Sequence, residues 1–318
     1  MFQTPNWQCV HTLNGHSSSV ISVAITPDGQ TVVSGSADST IKLWNLNTGQ
    51  EIHTLSGHSQ GVTSIALSPD GQTLASGSKD ATIKLWNLRN RQQIYTISGH
   101  SEEITSVVIS PDGKTLASAD YTTIKVWNLS NGEEIRTLKW QVKVYYGFYL
   151  AFSRDGQILV TSSGDDYVSL SAVAFNLTTG EEIWAKNWKD GMDSVYSMGV
   201  SPDGESLATF HISNSTIKLW NIYTGTEISN VAENSTAYNC LVFSPDGKII
   251  ATGGCECESE DDSSEPGTIE LWNLDTKEKI CTLLGHSSEV YSVTFNPDGK
   301  TLVSGSDDST VKIWQRDL

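Results

Sequence analysis

The chain is poor in cysteine and contains no long apolar segment. Its five cysteines are an odd number without the spacing of a disulfide framework, which favours reduced thiols in a reducing compartment. The most apolar stretch, residues 145–152, is far shorter than the roughly 20 residues that span a bilayer. The N-terminal residues lack the charged start and apolar core of a secretory signal. A cytoplasmic protein is therefore expected.

Basic residues are also scarce. The sequence has 20 lysines and arginines against 37 aspartates and glutamates, which gives a formal net charge of −17. Because a surface this acidic repels phosphate groups, neither a nucleic acid nor an anionic membrane is expected as a partner.

What the chain does have is a block of about forty residues that recurs seven times. One such unit cannot bury its apolar faces alone, so the repetition indicates an architecture of stacked units. The phase of the repeat is set by its aspartate–glycine turns, which are Asp28-Gly29, Asp70-Gly71, Asp112-Gly113, Asp155-Gly156, Asp203-Gly204, Asp246-Gly247 and Asp298-Gly299.

Each copy reads as four short strands. In the first copy these are Val20–Ile25, Thr31–Ser36, Thr40–Trp44 and Glu51–Leu55, separated by residues that tolerate tight turns. No window shows a convincing helical period. Apolar residues occupy both faces of the third strand, which predicts sheets that are covered on both sides by similar sheets.

The repeated GHS, SPDG and IKLW elements resemble those of WD40-repeat β-propellers over essentially the whole chain. The resemblance implies an all-β fold: one seven-bladed β-propeller with four antiparallel strands per blade. The early copies are especially similar to those of bacterial WD-repeat proteins of the cyanobacterial type. The expected blades are residues 14–55, 56–97, 98–138, 139–186, 187–231, 232–283, and 284–318 together with 1–13.

The two ends of the chain are predicted to share the last blade. The final copy ends directly after its third strand, whereas residues 7–16 match the fourth strand and following loop of the first copy, residues 49–58. We therefore expect the N-terminal strand to close the ring as the outer strand of the last blade, and its removal to expose an unpaired strand edge.

The resemblance also implies a buried polar network in each blade. An aspartate accepts from an imidazole, the other imidazole nitrogen pairs with a hydroxyl, and the hydroxyl accepts from an indole N–H. A catalytic triad is disfavoured, because the same residues recur in several blades. The sets are His16, Ser34, Asp38 and Trp44; His58, Ser76, Asp80 and Trp86; His286, Ser304, Asp308 and Trp314; and, in part, His100, Ser118 and Trp127.

The middle copies depart from this pattern. In the third, a one-residue deletion is expected to move Asp120 out of register and to put Tyr121 in the aspartate position. In the fourth to sixth copies, other residues replace the tryptophan, histidine or aspartate: Phe175 and Gln141; Lys189 and Asn214; Asn234 and Pro266. Either these blades drifted under weak constraint, or they were reshaped for a partner.

Propellers of this family usually bind partners at the end of the ring where the first strand of each blade begins. Aromatic side chains there suggest binding anchors, and Glu103, Glu289 and Asp307 suggest a basic partner segment. The alternative is that the aromatics cap the central channel. Carried over to this chain, the contact positions include Ser19, Ile21, Ala37, Gly61, Thr63, Lys79, Glu103, Tyr146, Phe148, Tyr196, Glu289, Tyr291 and Asp307.

An acidic insertion, residues 255–265, lengthens the sixth copy between its second and third strands. It is expected to form a solvated mobile loop. It holds a Cys-x-Cys pair but no histidine or second cysteine pair for zinc, and it lacks the alternating ligands of a calcium loop.

These patterns favour a non-enzymatic, monomeric scaffold that binds a protein or peptide and needs no cofactor or metal. An alternative is a regulatory C-terminal domain cut from a larger signalling kinase or ATPase. A metal-centred propeller hydrolase is the rival class. It is disfavoured because the histidines belong to the blade networks.

Overall fold

The structure is a computed structural model in which residues 6–139, 148–163, 171–187, 195–211, 215–232, 235, 239–255 and 265–317 are described. Its strands follow one another with short turns between them. They are β1 (Trp7–Asn14), β2 (Val20–Ile25), β3 (Thr31–Ser36), β4 (Thr40–Asn45), β5 (Glu51–Ser56), β6 (Val62–Leu67), β7 (Thr73–Ser78), β8 (Thr82–Asn87), β9 (Gln92–Ser98), β10 (Ser106–Ile109), β11 (Thr115–Ala119), β12 (Thr123–Asn128), β13 (Glu134–Lys139), β14 (Phe148–Phe152), β15 (Ile158–Ser163), β16 (Ser171–Asn176), β17 (Glu182–Asn187), β18 (Val195–Val200), β19 (Ser206–His211), β20 (Thr216–Asn221), β21 (Glu227–Ala232), β22 (Cys240–Phe243), β23 (Ile249–Cys255), β24 (Gly267–Asn273), β25 (Lys279–Leu284), β26 (Val290–Phe295), β27 (Thr301–Ser306) and β28 (Thr310–Arg316).

These strands form seven antiparallel four-stranded sheets, as the repeat predicts. Blades one to six are β2–β5, β6–β9, β10–β13, β14–β17, β18–β21 and β22–β25. Blade seven has the strand order β1-β28-β27-β26, so the N-terminal strand lies against the last strand of the chain. The predicted all-β seven-bladed propeller and its closure are both confirmed.

The closing strand is paired along its length. Trp7 lies opposite Arg316 and Leu13 lies opposite Val311, with one bulge at Val10. The side chains of Trp7 and Leu13 are 8% and 3% exposed. The head and tail of the chain are therefore joined both by the strand ladder and by buried apolar contacts.

The aspartate–glycine turns connect the first and second strands of the blades. The Gly29 N–H donates to the Thr26 carbonyl at 2.7 Å, and Asp28 Oδ1 accepts from the Gln30 N–H at 3.0 Å. Gly29 has a φ of +68°, a left-handed conformation that glycine adopts without the strain imposed by a Cβ. The aspartate–glycine pairs identified in the sequence therefore form the hairpin turns between the first and second strands.

Apolar side chains fill the space between neighbouring blades. Val33 and Leu43 of blade one pack with Val62, Ile65 and Trp86 of blade two in one buried cluster. Because each sheet is covered on both faces, apolar residues are needed on both faces of its middle strands. Within the described ranges there is no helix that is long and apolar enough to cross a membrane.

The cysteines depart in one respect from the expectation of reduced thiols. Cys9, Cys240 and Cys281 are free, but Cys255 is in a disulfide. The cysteine spacing shows no framework of several bridges, but it carries no signal for a single disulfide at the end of β23. Burial raises the pKa of the Cys240 thiol to about 12, which keeps it protonated and unreactive.

Candidate functional site: the blade networks and the mouth of the ring

Blade one contains a continuous chain of buried hydrogen bonds. His16 Nδ1 lies 2.9 Å from Asp38 Oδ2, and His16 Nε2 lies 2.8 Å from Ser34 Oγ. The Trp44 indole N–H donates to the same Ser34 oxygen at 2.8 Å. The histidine comes from the loop before β2, the serine from β3 and the tryptophan from β4. The network therefore ties that loop to the two middle strands.

The charges in this network are set by burial and by donors. Burial lowers the pKa of His16, although Asp38 opposes that effect, so the imidazole is neutral. Burial would raise the pKa of Asp38, but hydrogen bonds from Thr40, Ser17 and His16 outweigh it and lower that pKa to about 2. A neutral imidazole that donates from Nδ1 accepts the Ser34 hydroxyl at Nε2.

Blades two and seven repeat this geometry. The histidine-to-aspartate, histidine-to-serine and tryptophan-to-serine distances are 2.9, 2.8 and 2.8 Å for His58, Asp80, Ser76 and Trp86. They are 2.8, 2.8 and 2.9 Å for His286, Asp308, Ser304 and Trp314. The structure brings together every member of the three complete sets.

Blade three contradicts one expectation. Asp120 is fully buried, and its Oδ2 lies 3.0 Å from His100 Nδ1, although the two atoms are not aligned for a hydrogen bond. Its Oδ1 accepts the backbone N–H of Thr123 at 2.6 Å, while His100 Nε2 lies 2.7 Å from Ser118 Oγ. The deletion shortens the hairpin so that Asp120 itself reaches the imidazole. Tyr121 does not take its place.

Blade five contains a histidine that the sequence reasoning missed. His211 is fully buried at the end of β19, and its Nε2 lies 2.8 Å from Thr209 Oγ1. The same oxygen accepts the Trp220 indole N–H at 2.7 Å. The imidazole thus comes from the strand itself, two residues after the hydroxyl, rather than from the preceding loop. The sequence signal that could have revealed this network member is a histidine at an inward-facing position of β19.

Blade six reverses an ion pair that blades one and three contain. In blade one, Lys42 of the third strand lies 2.9 Å from Glu51 of the fourth. In blade six the third strand carries Glu270, which is 1% exposed, and the fourth carries Lys279, with 2.5 Å between their charged atoms. Glu270 also accepts the Ser235 hydroxyl at 2.6 Å. Exchanging the positions of the lysine and the glutamate keeps the ion pair but buries the glutamate carboxylate.

Four of the predicted contact residues are bulged residues of inner strands. The register between the first and second strands of a blade skips Ile21, Thr63, Tyr196 and Tyr291. Bulges change the direction in which a side chain points and are common beside binding sites. The Thr63 hydroxyl is already engaged, since it donates to the Ile104 carbonyl at 2.5 Å.

Backbone hydrogen bonds bring the other contact positions side by side at the mouth of the ring, which we define as the end where the inner strands begin. The N–H groups of Ala37, Lys79 and Asp307 donate to the carbonyls of Ser19, Gly61 and Glu289, each at 2.9 Å. The contact positions of one blade therefore form one small surface. Lys79 is exposed, and Glu103 is half-buried.

An anionic group lies where blades seven and one meet. Asp307 accepts the Ser19 hydroxyl at 2.6 Å through Oδ1 and the Ser288 hydroxyl at 3.2 Å through Oδ2. Burial, Asp307 and Glu289 together raise the pKa of Tyr291. The phenol therefore stays neutral beside two half-buried carboxylates, a combination that suits a cationic, hydrogen-bonding side chain.

Several predicted positions cannot be placed. Tyr146 lies outside the described residues, as does most of the acidic insertion. Phe148 begins β14 opposite Ser163, and Tyr196 lies in β18, but their side chains are outside the description. Within the described part of the chain, no group of three or more histidine, cysteine, aspartate or glutamate residues is placed to hold a metal ion.

Comparison with known proteins gives matches along most of the chain. A family model described as "IFT122 first beta-propeller" matches residues 39–260, and one described as "WD domain, G-beta repeat" matches residues 7–45 and 277–315. The human WD repeat and SOCS box-containing protein 1 is 35% identical over 107 residues, which are 33% of this chain and 23% of that protein.

Other relatives match over shorter segments. WD repeat-containing protein srw1 of Schizosaccharomyces pombe is 31% identical over 31% of this chain and 16% of its own length. Apoptotic protease-activating factor 1 of Danio rerio is 46% identical over 50 residues, 16% of this chain and 4% of that protein. The chain thus spans less than a quarter of these curated relatives. They are eukaryotic, so the likeness to bacterial proteins is not shown.

Proposed function

We propose that this chain, which belongs to the WD-repeat β-propeller family represented by these models, is a non-catalytic scaffold for a protein or peptide. The partner lies across the mouth of the ring. One of its basic side chains enters between blades seven and one, where Glu289, Tyr291 and Asp307 receive it. The proposal includes a monomeric, cytoplasmic protein that needs no cofactor.

The geometry at Tyr291 is the observation that carries this proposal. A bulge leaves Tyr291 out of the pairing between the two strands, and two carboxylates that are only half-buried, Glu289 and Asp307, lie beside it. Carboxylates in such a position form charge-assisted hydrogen bonds with an arginine or lysine at little desolvation cost to themselves. The net charge of −17 adds long-range attraction for a basic segment.

Peptide binding tests the proposal. An arginine-rich peptide library labelled for fluorescence anisotropy should contain binders that Tyr291→Ala and Asp307→Asn each weaken by at least about tenfold, as expected for anchor residues. Tyr223→Ala is the matched control. Tyr223 is 37% exposed in the turn between β20 and β21, at the opposite end of the ring. Equal affinity of all variants would contradict the proposed face.

A second candidate role is that of a regulatory domain within a larger signalling protein, such as a kinase or ATPase. The observation that favours it is the small share of each relative that the chain covers, 23% or less in those named above. An antibody against the propeller should then detect a cellular protein well above 34.6 kDa. A single band at that mass would contradict this role and leave the scaffold proposal intact.

A further inference from the structure

Three polar groups inside blade six are buried and have no hydrogen-bond partner. They are the hydroxyls of Thr252 and Thr268 and the indole N–H of Trp272. The two threonines are fully buried, and Trp272 is 4% exposed. Buried polar groups are normally paired, because leaving one unpaired costs its full desolvation penalty. Three such groups in one blade therefore need an explanation.

Their places in the sheet show that the three groups face one point. Thr252 lies opposite Glu270, as Ser34 lies opposite Lys42 in blade one. Trp272 lies opposite Ile250, as Trp44 lies opposite Val32. Thr252, Thr268 and Trp272 are thus the counterparts of Ser34, Thr40 and Trp44.

In blade one those counterparts surround an imidazole. His16 Nε2 lies 2.8 Å from Ser34 Oγ, and Thr40 Oγ1 lies 3.3 Å from His16 Nδ1. The Trp44 indole completes the group through Ser34 at 2.8 Å. In the sequence of blade six, the histidine position is occupied by Asn234. The polar wall of the network remains, and no imidazole of the described residues is hydrogen-bonded to it.

The hydrogen bond between the indole and the hydroxyl of the second strand is also missing from blade six. In blade five the indole of Trp220 reaches Thr209 directly, at 2.7 Å. In blade six the indole of Trp272 makes no such bond to Thr252, although the two strands pair in the same register. Buried polar groups that face each other without a direct hydrogen bond can be bridged by a water molecule.

We propose that Thr252, Thr268 and Trp272 form an internal water site, in which one water molecule takes the place that the imidazole has in blade one. The water accepts the Trp272 N–H and exchanges hydrogen bonds with the two hydroxyls. Three partners are the usual number for a buried water. An ion is disfavoured because all three groups are neutral, and the nearby Glu270 carboxylate is paired with Lys279 and Ser235.

The sign of a stability change tests this proposal. Thr252→Val keeps the shape of the side chain and removes the hydroxyl. If the hydroxyl binds the water, we expect the folding equilibrium constant, from urea denaturation, to fall about fivefold, or about 1 kcal/mol. If the hydroxyl is truly unpaired, the valine variant will be more stable than the wild type, and the proposal is wrong.

Thr209→Val is the matched control. Thr209 is the equivalent residue of blade five, and its hydroxyl has visible partners in His211 and Trp220. It should lose stability in the same assay, which establishes that the method detects a buried threonine bond. An increase for Thr252→Val beside a loss for Thr209→Val would be the clearest contradiction.

Nuclear magnetic resonance gives an independent readout on the wild-type protein. The indole proton of Trp272, assigned through Trp272→Phe, should show a nuclear Overhauser effect to a long-lived water. The indole proton of Trp44, which donates to Ser34, serves as the reference without a water partner. No water contact at Trp272 would overturn the proposal even if Thr252→Val were destabilising.

Discussion

Removal of residues 1–13 should open the ring and lower its stability sharply. The deletion takes away most of β1, including the buried side chains of Trp7 and Leu13. Burial of each contributes about 1.5–3 kcal/mol, so the two together account for about 3–6 kcal/mol. At about 2–4 °C per kcal/mol, we expect the melting temperature to fall by at least about 6 °C.

The deletion should also expose the edge of β28, which pairs only with β1 on that side. Unpaired strand edges promote association, so the truncated protein should elute as larger species in size-exclusion chromatography with light scattering. Removal of residues 1–5 is the control, because β1 begins at Trp7 and keeps its whole ladder. A truncated protein that keeps the full-length melting temperature and mass would refute the closure argument.

A milder variant covers the case in which the deletion does not fold at all. Leu13→Ala creates a cavity between β1 and the core and should cost about 2–5 kcal/mol. Val10→Ala on the same strand is the matched control, because Val10 is a bulged residue that is 40% exposed. Its effect should stay within about 0.5 kcal/mol. Equal melting temperatures for the two variants would show that β1 adds little.

Two further predictions concern the polar networks. Asp120→Asn should reduce the free energy of unfolding by about 1–3 kcal/mol, because it weakens a buried contact to His100. Tyr121→Phe should change the free energy of unfolding by less than about 0.5 kcal/mol. A larger loss for Tyr121→Phe than for Asp120→Asn in urea denaturation would show that Tyr121 holds the aspartate position. The free energy of unfolding should also fall as the pH is lowered from 7 to 2. The folded pKa of His16 lies below its ordinary 6.5, so the unfolded chain takes up a proton first as the pH falls, which favours unfolding. Folding lowers the pKa of Asp38 from 3.8 to about 2, so the contribution of Asp38 to stability is lost between about pH 4 and pH 2. A free energy of unfolding that stays level across that range would contradict both assignments.

The sequence predicts the fold well, because a repeated unit leaves few alternatives. In the first copy the predicted strands Val20–Ile25 and Thr31–Ser36 agree with the structure, and the next two end one residue later than predicted. Strand positions follow from turn residues and alternation, both of which are local. Ring closure is predictable for the same reason, since the N-terminal strand is a copy of the fourth strand.

The networks of the middle blades are harder to predict, because they depend on distances that alignment does not measure. The count of positions predicts that Asp120 is out of register, but the shortened hairpin places it 3.0 Å from His100. His211 is not predictable from the repeat, because the repeat places the histidine in the loop before the first strand. Both failures come from side chains that reach one spatial point from different places in the sequence.

One feature of the network does not vary: the hydroxyl of the second strand. Its seven residues are fully buried, namely Ser34, Ser76, Ser118, Thr161, Thr209, Thr252 and Ser304. In blades one, two, three, five and seven this oxygen touches both the indole and the imidazole, so its loss there would leave two buried groups unpaired at once.

The imidazole, by contrast, is supplied in more than one way. It comes from the preceding loop in blade one, where His16 bonds to Ser34, and from the second strand in blade five, where His211 bonds to Thr209. The blade therefore requires a polar side chain or molecule that reaches the hydroxyl of the second strand, whichever part of the chain supplies it. A blade that lacks the loop histidine has not lost the network if another group reaches that point, so a missing histidine is weak evidence that blades four to six were reshaped for a partner.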